Sequence, residues 1–242
     1  MTTLLLIHSP LVGPFTWELV AREIEQRGGC AVVPALPDTR GTSVPTWQAG
    51  VLAARTALLG TSPGEPVVVV GHSGAGPVLH AFGAAVAGGR PAAYLFTDAG
   101  IPSDGTTRLE QLRREAPQFA RQLEERFAAG SRFPEWTDAD LRAVLPDASM
   151  RDRMLAEMRP QDAEFWDEAL PPLAAWPDAP CGYLQFTASY EPAAQEARRA
   201  GWAYRRLDGG HFQMLVDPPA VAAALLDLTH TLGVPAPAGM RR

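Results

Sequence analysis

Short apolar runs alternate with stretches of helical spacing along most of this chain. The spacing predicts six β-strands, at residues 3–8, 30–37, 67–70, 92–97, 181–187 and 202–207. It also predicts helices between and after them, at residues 15–26, 47–59, 78–86, 192–200 and 220–232. Strands that alternate with helices favour a parallel sheet with helices on both faces. The pattern therefore predicts an α/β fold with a mostly parallel sheet of six or slightly more strands.

One region departs from this alternation. Residues 103–180 are rich in charge and contain no strand-like run, and their apolar positions predict several helices, the first a long one or a pair broken near Pro117. We therefore predict a helical cap at 103–180, inserted into a core of residues 1–102 and 181–242. Its aromatic side chains are expected to pack the cap onto the core, with a few facing a site beneath it, and Trp136 and Phe165 are the candidates for substrate contact.

Composition narrows the functional classes. A chain of 242 residues with 46% hydrophobic residues can bury the core of one α/β domain. Its net charge of −6 offers no basic surface for nucleic acid. The apolar run near the start is too short for a membrane span or signal peptide, so we expect a cytoplasmic protein. Cys30 and Cys181 each begin a predicted strand and are expected to be free, buried thiols.

The candidate chemistry lies after the strand of four valines at residues 67–70. This strand ends at Gly71, and His72, Ser73 and Gly74 follow before an apolar helix. A turn this sharp forces its central residue into strained backbone angles and requires small neighbours. The stretch resembles the nucleophile elbow of the α/β-hydrolases, with Ala75 in the place of the last glycine of the motif. The resemblance implies that Ser73 is a nucleophile at the carboxyl edge of the sheet.

Two further residues extend the resemblance. Asp98 and His211 each follow a predicted strand, as Ser73 does, so all three are expected at the same edge of the sheet. Their order along the chain is that of the α/β-hydrolases, and Gly210-His211 is similar to the terminal Gly-His of the family. A serine hydroxyl needs a base to become nucleophilic, and imidazole needs an acceptor on its far nitrogen. We therefore predict a triad of Ser73, His211 and Asp98.

The acid has an alternative. In most α/β-hydrolases the acid follows the strand that here ends near Thr187, and Glu191 is the carboxylate in that stretch. In some lipases of the fold the acid follows the preceding strand, where this chain has Asp98. We prefer Asp98 and keep Glu191 as the alternative; the reaction class is the same with either residue.

The oxyanion hole departs from the family pattern. One donor is expected to be the backbone N–H of Gly74, and the other comes in the family from a His-Gly-x loop after the first strand. Here that loop reads His8, Ser9, Pro10, Leu11, and Pro10 has no N–H to donate. Leu11 N–H could replace it if the loop is shifted. His72, beside Ser73, is expected to border the same site.

The resemblance implies a serine hydrolase that cleaves an ester or thioester of an apolar small molecule through an acyl-enzyme. It implies no metal or cofactor, and neither nucleic acid nor membrane as partner; the oligomeric state is open. The missing N–H of Pro10 supports a second hypothesis for the function, a lyase or cyclase that uses His211 as base and Ser73 only as a hydrogen-bond donor. The third hypothesis is a non-catalytic protein that binds a small molecule.

Overall fold

Six parallel strands form the centre of the fold, in the spatial order β2-β1-β3-β4-β5-β6. The computed structural model describes residues 1–62, 64–104 and 106–235. The strands are β1 (Thr3–Ile7), β2 (Cys30–Val32), β3 (Val67–His72), β4 (Ala93–Thr97), β5 (Cys181–Gln185) and β6 (Ala203–Arg206). The predicted fold class, a mostly parallel six-stranded sheet flanked by helices, is confirmed.

The helices lie between and after the strands. They are α1 (Phe15–Gln26), α2 (Thr46–Ala57), α3 (Arg108–Glu115), α4 (Pro117–Ala128), α5 (Asp138–Leu141), α6 (Ala148–Ala156), α7 (Ala163–Trp166), α8 (Glu191–Arg199), α9 (Gln213–Val216) and α10 (Pro218–Thr231). A 3₁₀-helical segment, Ser73–Ala85, follows β3 and is called the elbow helix below.

The sheet is buried on both faces. Successive side chains of a strand point to opposite faces, so Leu4 and Leu6 of β1 face the layer of α1 and α10. Leu5 and Ile7 face the layer of α2 and the elbow helix. The central strands are therefore apolar without interruption, which is the pattern that identified them in the sequence.

Two predicted elements differ in the structure. The strand predicted at 30–37 ends at Val32, because β2 is an edge strand that pairs only with Thr3–Leu5, and Pro34 and Pro37 have no N–H for a ladder. The helix predicted at 78–86 begins earlier, at Ser73, and is 3₁₀ in form. Its glycines and Pro77 are poor formers of an α-helix.

Helices α3 to α7 lie between β4 and β5. The first two are a pair, ending at Glu115 and starting again at Pro117, which is one of the two predicted forms. Helices α3, α4 and α7 share an apolar cluster that includes Leu109, Leu123 and Trp166, whereas α5 and α6 pack into the core cluster of α1 and α10. The division of the chain into a core and a cap stays a prediction.

Two smaller findings complete the description. Among the residues that the structure describes, no helix is both long and apolar enough to cross a bilayer. The two cysteines are free, as predicted; Cys181 is buried, whereas Cys30 is only half-buried because it begins the edge strand β2.

Candidate active site

Ser73 stands at a sharp turn directly after β3. Its φ of +55° lies in the left-handed region, which is strained for a residue other than glycine. The elbow helix then passes very close to the loop after β4: a Cβ atom at Gly76 would lie 2.1 Å from the carbonyl oxygen of Gly100. This close approach therefore requires glycine at position 76, and a Cβ atom at Gly71 would also lie only 2.5 Å from Leu79 Cδ1; Ala75, in the last motif position, is simply buried.

Ser73, His211 and Asp98 lie in one hydrogen-bonded row. His211 Nε2 is 3.0 Å from Ser73 Oγ, and His211 Nδ1 is 2.7 Å from Asp98 Oδ2. Asp98 is fully buried, whereas the His211 side chain is 28% exposed on the cavity side. An imidazole between a hydroxyl and a carboxylate can take a proton from the hydroxyl while the carboxylate fixes its tautomer.

The backbone after β5 fixes the carboxylate of Asp98. Its Oδ1 accepts from the N–H groups of Phe186 and Thr187, at 3.0 and 2.9 Å, and its Oδ2 also accepts from Thr187 Oγ1 at 2.9 Å. The φ of Asp98 is +41°, a second left-handed residue beside the elbow. The carboxylate can therefore rotate little, and it presents Oδ2 to His211.

Glu191, the alternative acid, has different partners. Its carboxylate accepts from Gln185 Nε2 at 2.9 Å, Gln195 Nε2 at 3.1 Å and Arg198 Nη2 at 2.5 Å. Hydrogen bonds from Gln185 and Gln195, with the charge of Arg198, hold the pKa of Glu191 below its usual range. Of the two candidate carboxylates, Asp98 is the one hydrogen-bonded to His211.

His72 supports His211 from behind. Its Nε2 lies 2.9 Å from the backbone oxygen of His211, and the two rings are 4.5 Å apart. Burial lowers the pKa of His72 well below its usual value, so the ring is neutral, and its Nε2–H donates to that oxygen. His72 therefore holds the backbone of the predicted base in place.

The loop after β1 differs from the expectation for the oxyanion hole. Leu11 N–H is not free, because it donates to Ser9 Oγ at 3.3 Å. Ser9 and Pro10 lie against Gly74 instead: a Cβ atom at Gly74 would be 3.1 Å from Ser9 Oγ and 3.5 Å from Pro10 Cδ. The polar group that this loop presents beside Gly74 is the hydroxyl of Ser9, which the sequence pattern did not single out.

Tyr190 is a second residue that the sequence did not indicate. Its ring is stacked on His211, with centroids 5.3 Å apart and planes 10° apart, and its hydroxyl is 3.4 Å from Ser73 Oγ. Burial raises the pKa of Tyr190 well above its usual value, so the phenol stays protonated and can donate. Its place in the loop after β5, where the family acid usually lies, was the available signal.

A cavity of about 850 Å³ opens above Ser73. The predicted residues Pro10, Leu11, His72, Gly74 and His211 border it together with Ser73. Its roof comes from residues between β4 and β5, namely Arg108, Gln111, Leu112, Glu115, Ala116, Pro117, Gln118, Phe119, Gln122, Phe133, Trp136, Phe165 and Trp166. The predicted contacts Trp136 and Phe165 are among them.

The aromatic residues of the 103–180 segment thus divide into two groups. Five of the seven border the cavity, whereas Phe127 packs against Trp166, and Trp176 packs against Tyr94 and Trp202 on the sheet. Within residues 1–62, 64–104 and 106–235, no group of three histidine, cysteine or acidic side chains has the geometry to hold a metal ion.

Comparisons with known proteins agree with this fold. An extracellular α/β-hydrolase from a Paenibacillus species is 18% identical over 94% of this chain and 99% of its own, with a TM-score of 0.74. Polyneuridine aldehyde esterase is 16% identical over 95% and 99%, with a TM-score of 0.69. Tomato methylketone synthase I, in complex with β-ketoheptanoate, is 11% identical over 96% and 98%, with a TM-score of 0.70.

At these identities the similarity establishes the fold alone. No curated protein matches the chain significantly in sequence. The model of the alpha/beta hydrolase family, however, matches residues 4–224, which include the elbow, the aspartate and the histidine described above. On that match and on the parallel sheet, this chain belongs to the α/β hydrolase family.

Proposed function

We propose that this protein is a serine hydrolase that cleaves a carboxylic ester or thioester through an acyl-enzyme. The observation that carries the proposal is the position of His211, 3.0 Å from Ser73 Oγ on one side and 2.7 Å from Asp98 Oδ2 on the other. This is the geometry in which a neutral imidazole activates a serine.

In the proposed reaction, Ser73 Oγ attacks the carbonyl carbon of the substrate and His211 Nε2 takes its proton. The tetrahedral intermediate collapses, the bond to the alcohol or thiol breaks, and His211 returns the proton to the leaving group. Water then attacks the acyl-enzyme, with His211 again as base, and releases the acid and free Ser73. Throughout, Asp98 stabilises the protonated imidazole and fixes its orientation.

We propose Gly74 N–H and the hydroxyl of Ser9 as the two oxyanion donors. The Ser9 oxygen accepts from Leu11 N–H, so its own hydrogen is available to the substrate oxygen. A hydroxyl in this place compensates for the missing N–H of Pro10. In this proposal Leu11 has a supporting role: its N–H orients the hydroxyl of Ser9 and does not contact the oxyanion.

The cavity supports a substrate with a sizeable apolar part. Its volume of about 850 Å³ is within the range of small-molecule sites, and aromatic side chains cover much of its roof. The structurally similar polyneuridine aldehyde esterase is, by its name, an esterase, which agrees with ester cleavage here. We propose a small molecule as substrate, with no nucleic acid or membrane partner.

The proposal is tested by steady-state hydrolysis of aryl esters and acyl thioesters of increasing chain length. We expect turnover that rises with apolar chain length until the cavity is filled, and loss of that turnover in Ser73→Ala. The exposed Ser43→Ala is the matched control. Turnover of purified Ser73→Ala at the wild-type rate would overturn the mechanism.

Non-hydrolytic chemistry on the same fold is the second candidate. It is favoured by the departure at Pro10 and by the bonded Leu11 N–H, which leave the oxyanion hole without its usual second backbone donor. In this alternative His211 is the base and Ser73 only a hydrogen-bond donor, as in a lyase or cyclase. It predicts that no acyl-enzyme accumulates with any substrate that is turned over.

A further inference from the structure

A polar strip interrupts the apolar roof of the cavity. Arg108, Gln111 and Glu115 lie at positions i, i+3 and i+7 of α3, which places them on one face of the helix. All three border the cavity above Ser73. An amphipathic helix normally directs its charged residues to solvent, so this inward face requires its own explanation.

Arg108 is the exceptional member of the strip. Only 6% of the surface of Arg108 is exposed. Its guanidinium lies 4.6 Å from the centre of the Phe165 ring, and its Nη1 donates to the carbonyl oxygen of Gly74 at 2.9 Å. Among the described residues, no acidic side chain forms an ion pair with it, and its Nε has no hydrogen-bond partner. Burial lowers the pKa of Arg108 to about 10, and the negative charge of Glu168, which forms no ion pair with Arg108, opposes this shift.

A buried cation with no anionic partner is costly, and proteins usually pair such a group or use it to bind a ligand. The other two residues of the strip, Gln111 and Glu115, do not supply an anionic partner for Arg108. Glu115 lies about 10 Å along the helix from Arg108, by the rise of an α-helix over seven residues. Burial raises the pKa of Glu115, which favours its neutral form, and its Oε1 accepts from Gln111 Nε2 at 2.6 Å.

We propose that the substrate carries a carboxylate in addition to the cleaved ester or thioester, and that Arg108 binds this carboxylate. The inference rests on the proposed function and deepens it by naming the substrate class. Arginine is suited to the role because its planar guanidinium matches the geometry of a carboxylate. Its contact with Gly74, the residue after Ser73, places the carboxylate only a few bonds from the reacting carbonyl.

The strip and the aromatic roof together describe the substrate as amphipathic. The apolar part fills the space beside Phe119, Phe133 and Trp136, while the carboxylate lies at the Arg108 end of α3. A half-ester of a dicarboxylic acid is the simplest molecule with these features.

The test compares two esters that differ in charge and little in shape. One is the mono-para-nitrophenyl ester of glutaric acid, and the other is a neutral para-nitrophenyl ester whose chain ends in an isopropyl group instead of the carboxylate. We expect the wild type to favour the anionic ester in kcat/KM by about 10- to 100-fold, the range for hydrogen bonds to charged groups.

Variants at position 108 separate charge from structure. Arg108→Gln keeps a polar side chain and removes the charge, so the preference for the anionic ester should fall by the same factor of about 10 to 100. Arg108→Lys should restore part of it, because lysine keeps the charge and loses the fork. The control is Arg113→Gln on the same helix, since Arg113 is exposed and paired with Glu124, and it should keep the full preference.

Binding of the uncleaved anilide analogues of both esters, measured by calorimetry, gives the same comparison without turnover. Hydrolysis without a preference for the anionic ester, or an equal fall for both esters in Arg108→Gln, overturns the carboxylate inference and leaves the hydrolase intact. Preferential binding of the anionic anilide without hydrolysis of either ester supports the inference and overturns the proposed function. If Arg108→Gln does not fold, the wild-type preference alone decides.

Discussion

The floor and the roof of the cavity are built in different ways. The floor consists of residues that follow the strand ends, and backbone geometry fixes them: Ser73 and Asp98 have left-handed φ values, and two backbone N–H groups hold Asp98. The roof consists of side chains on short helices and on the loops between them, fixed by packing between rings such as Phe119 and Phe133. From this contrast we expect the floor to determine the reaction and the roof to determine which substrate enters.

A change of the acid in the floor should have the largest effect. We expect Asp98→Asn to lower kcat by about 10⁴, because an amide no longer holds His211 in the correct tautomer. The matched variant Glu191→Gln removes a carboxylate that bonds to Gln185 and Arg198, and it should leave kcat within a few-fold of wild type. Steady-state hydrolysis of one activated ester measures both. A larger loss in Glu191→Gln would assign the acid to Glu191.

The oxyanion side of the floor should give the next largest effect. If the hydroxyl of Ser9 is a donor, Ser9→Ala should lower kcat by about 10² to 10³ with little change in KM. Because loss of an oxyanion donor also slows fluorophosphonate labelling, far-UV circular dichroism of Ser9→Ala serves as the check on folding. A kcat of Ser9→Ala within a factor of two of wild type would exclude Ser9 as a donor.

The roof should affect selectivity more than chemistry. Phe119→Ala removes apolar surface from the cavity, so the fall in kcat/KM should grow with acyl chain length and reach about tenfold for long chains. Phe127→Ala removes a ring that packs on Trp166 outside the cavity, and any loss it causes should be the same for all chain lengths. A similar dependence on chain length in both variants would contradict the division into floor and roof.

The last effect concerns the stability of the protein, and not its activity, and it arises in the loop that carries Ser9. His8 Nδ1 lies 2.8 Å from Ser9 O, and Leu36 N–H donates to His8 Nε2 at 3.2 Å, so the ring is neutral in the folded protein. Burial lowers the pKa of His8 from 6.5 to about 4. Between these values the unfolded chain binds a proton that the folded protein excludes, so the free energy of unfolding falls as pH decreases from about 6.5 to about 4.

His8→Gln removes this titration. Urea unfolding of wild type and His8→Gln at several pH values should give a steeper decrease for the wild type, by up to about 3 kcal/mol across the window. All other titrating groups, including the buried His72, are present in both proteins and cancel in the difference. Parallel curves would show that His8 has an ordinary pKa in the folded protein.

The sequence was informative where short-range patterns decide the structure. Four valines followed by Gly71 and Ser73 predict the buried strand and the turn, and the positions of Asp98 and His211 after strands placed them at the same edge. It was less informative where the structure depends on contacts between distant segments. Ser9 and Tyr190 reach Gly74 and His211 from loops after β1 and β5. The family resemblance indicated both loops, but no local pattern distinguished these two residues within them.

Arg108, in the roof, is a further residue whose position the sequence could not indicate. In a segment rich in charge, an arginine is normally a solvent-exposed residue, and only the packing of α3 above the elbow turns it inward. The short β2 and the 3₁₀ form of the elbow helix have local causes in their prolines and glycines. Those residues are visible in the sequence, but their effect depends on the neighbouring strand and on the close approach of Gly76 to Gly100.

Intact-mass spectrometry after exposure to a small fluorophosphonate tests the central claim most directly. Such a probe reacts with an activated serine, so the account predicts a single adduct in the wild type, located at Ser73. It predicts no adduct in Ser73→Ala and a much slower one in His211→Ala, because His211 supplies the base. Absence of the adduct in folded wild-type protein, or an adduct that persists in Ser73→Ala, would contradict it.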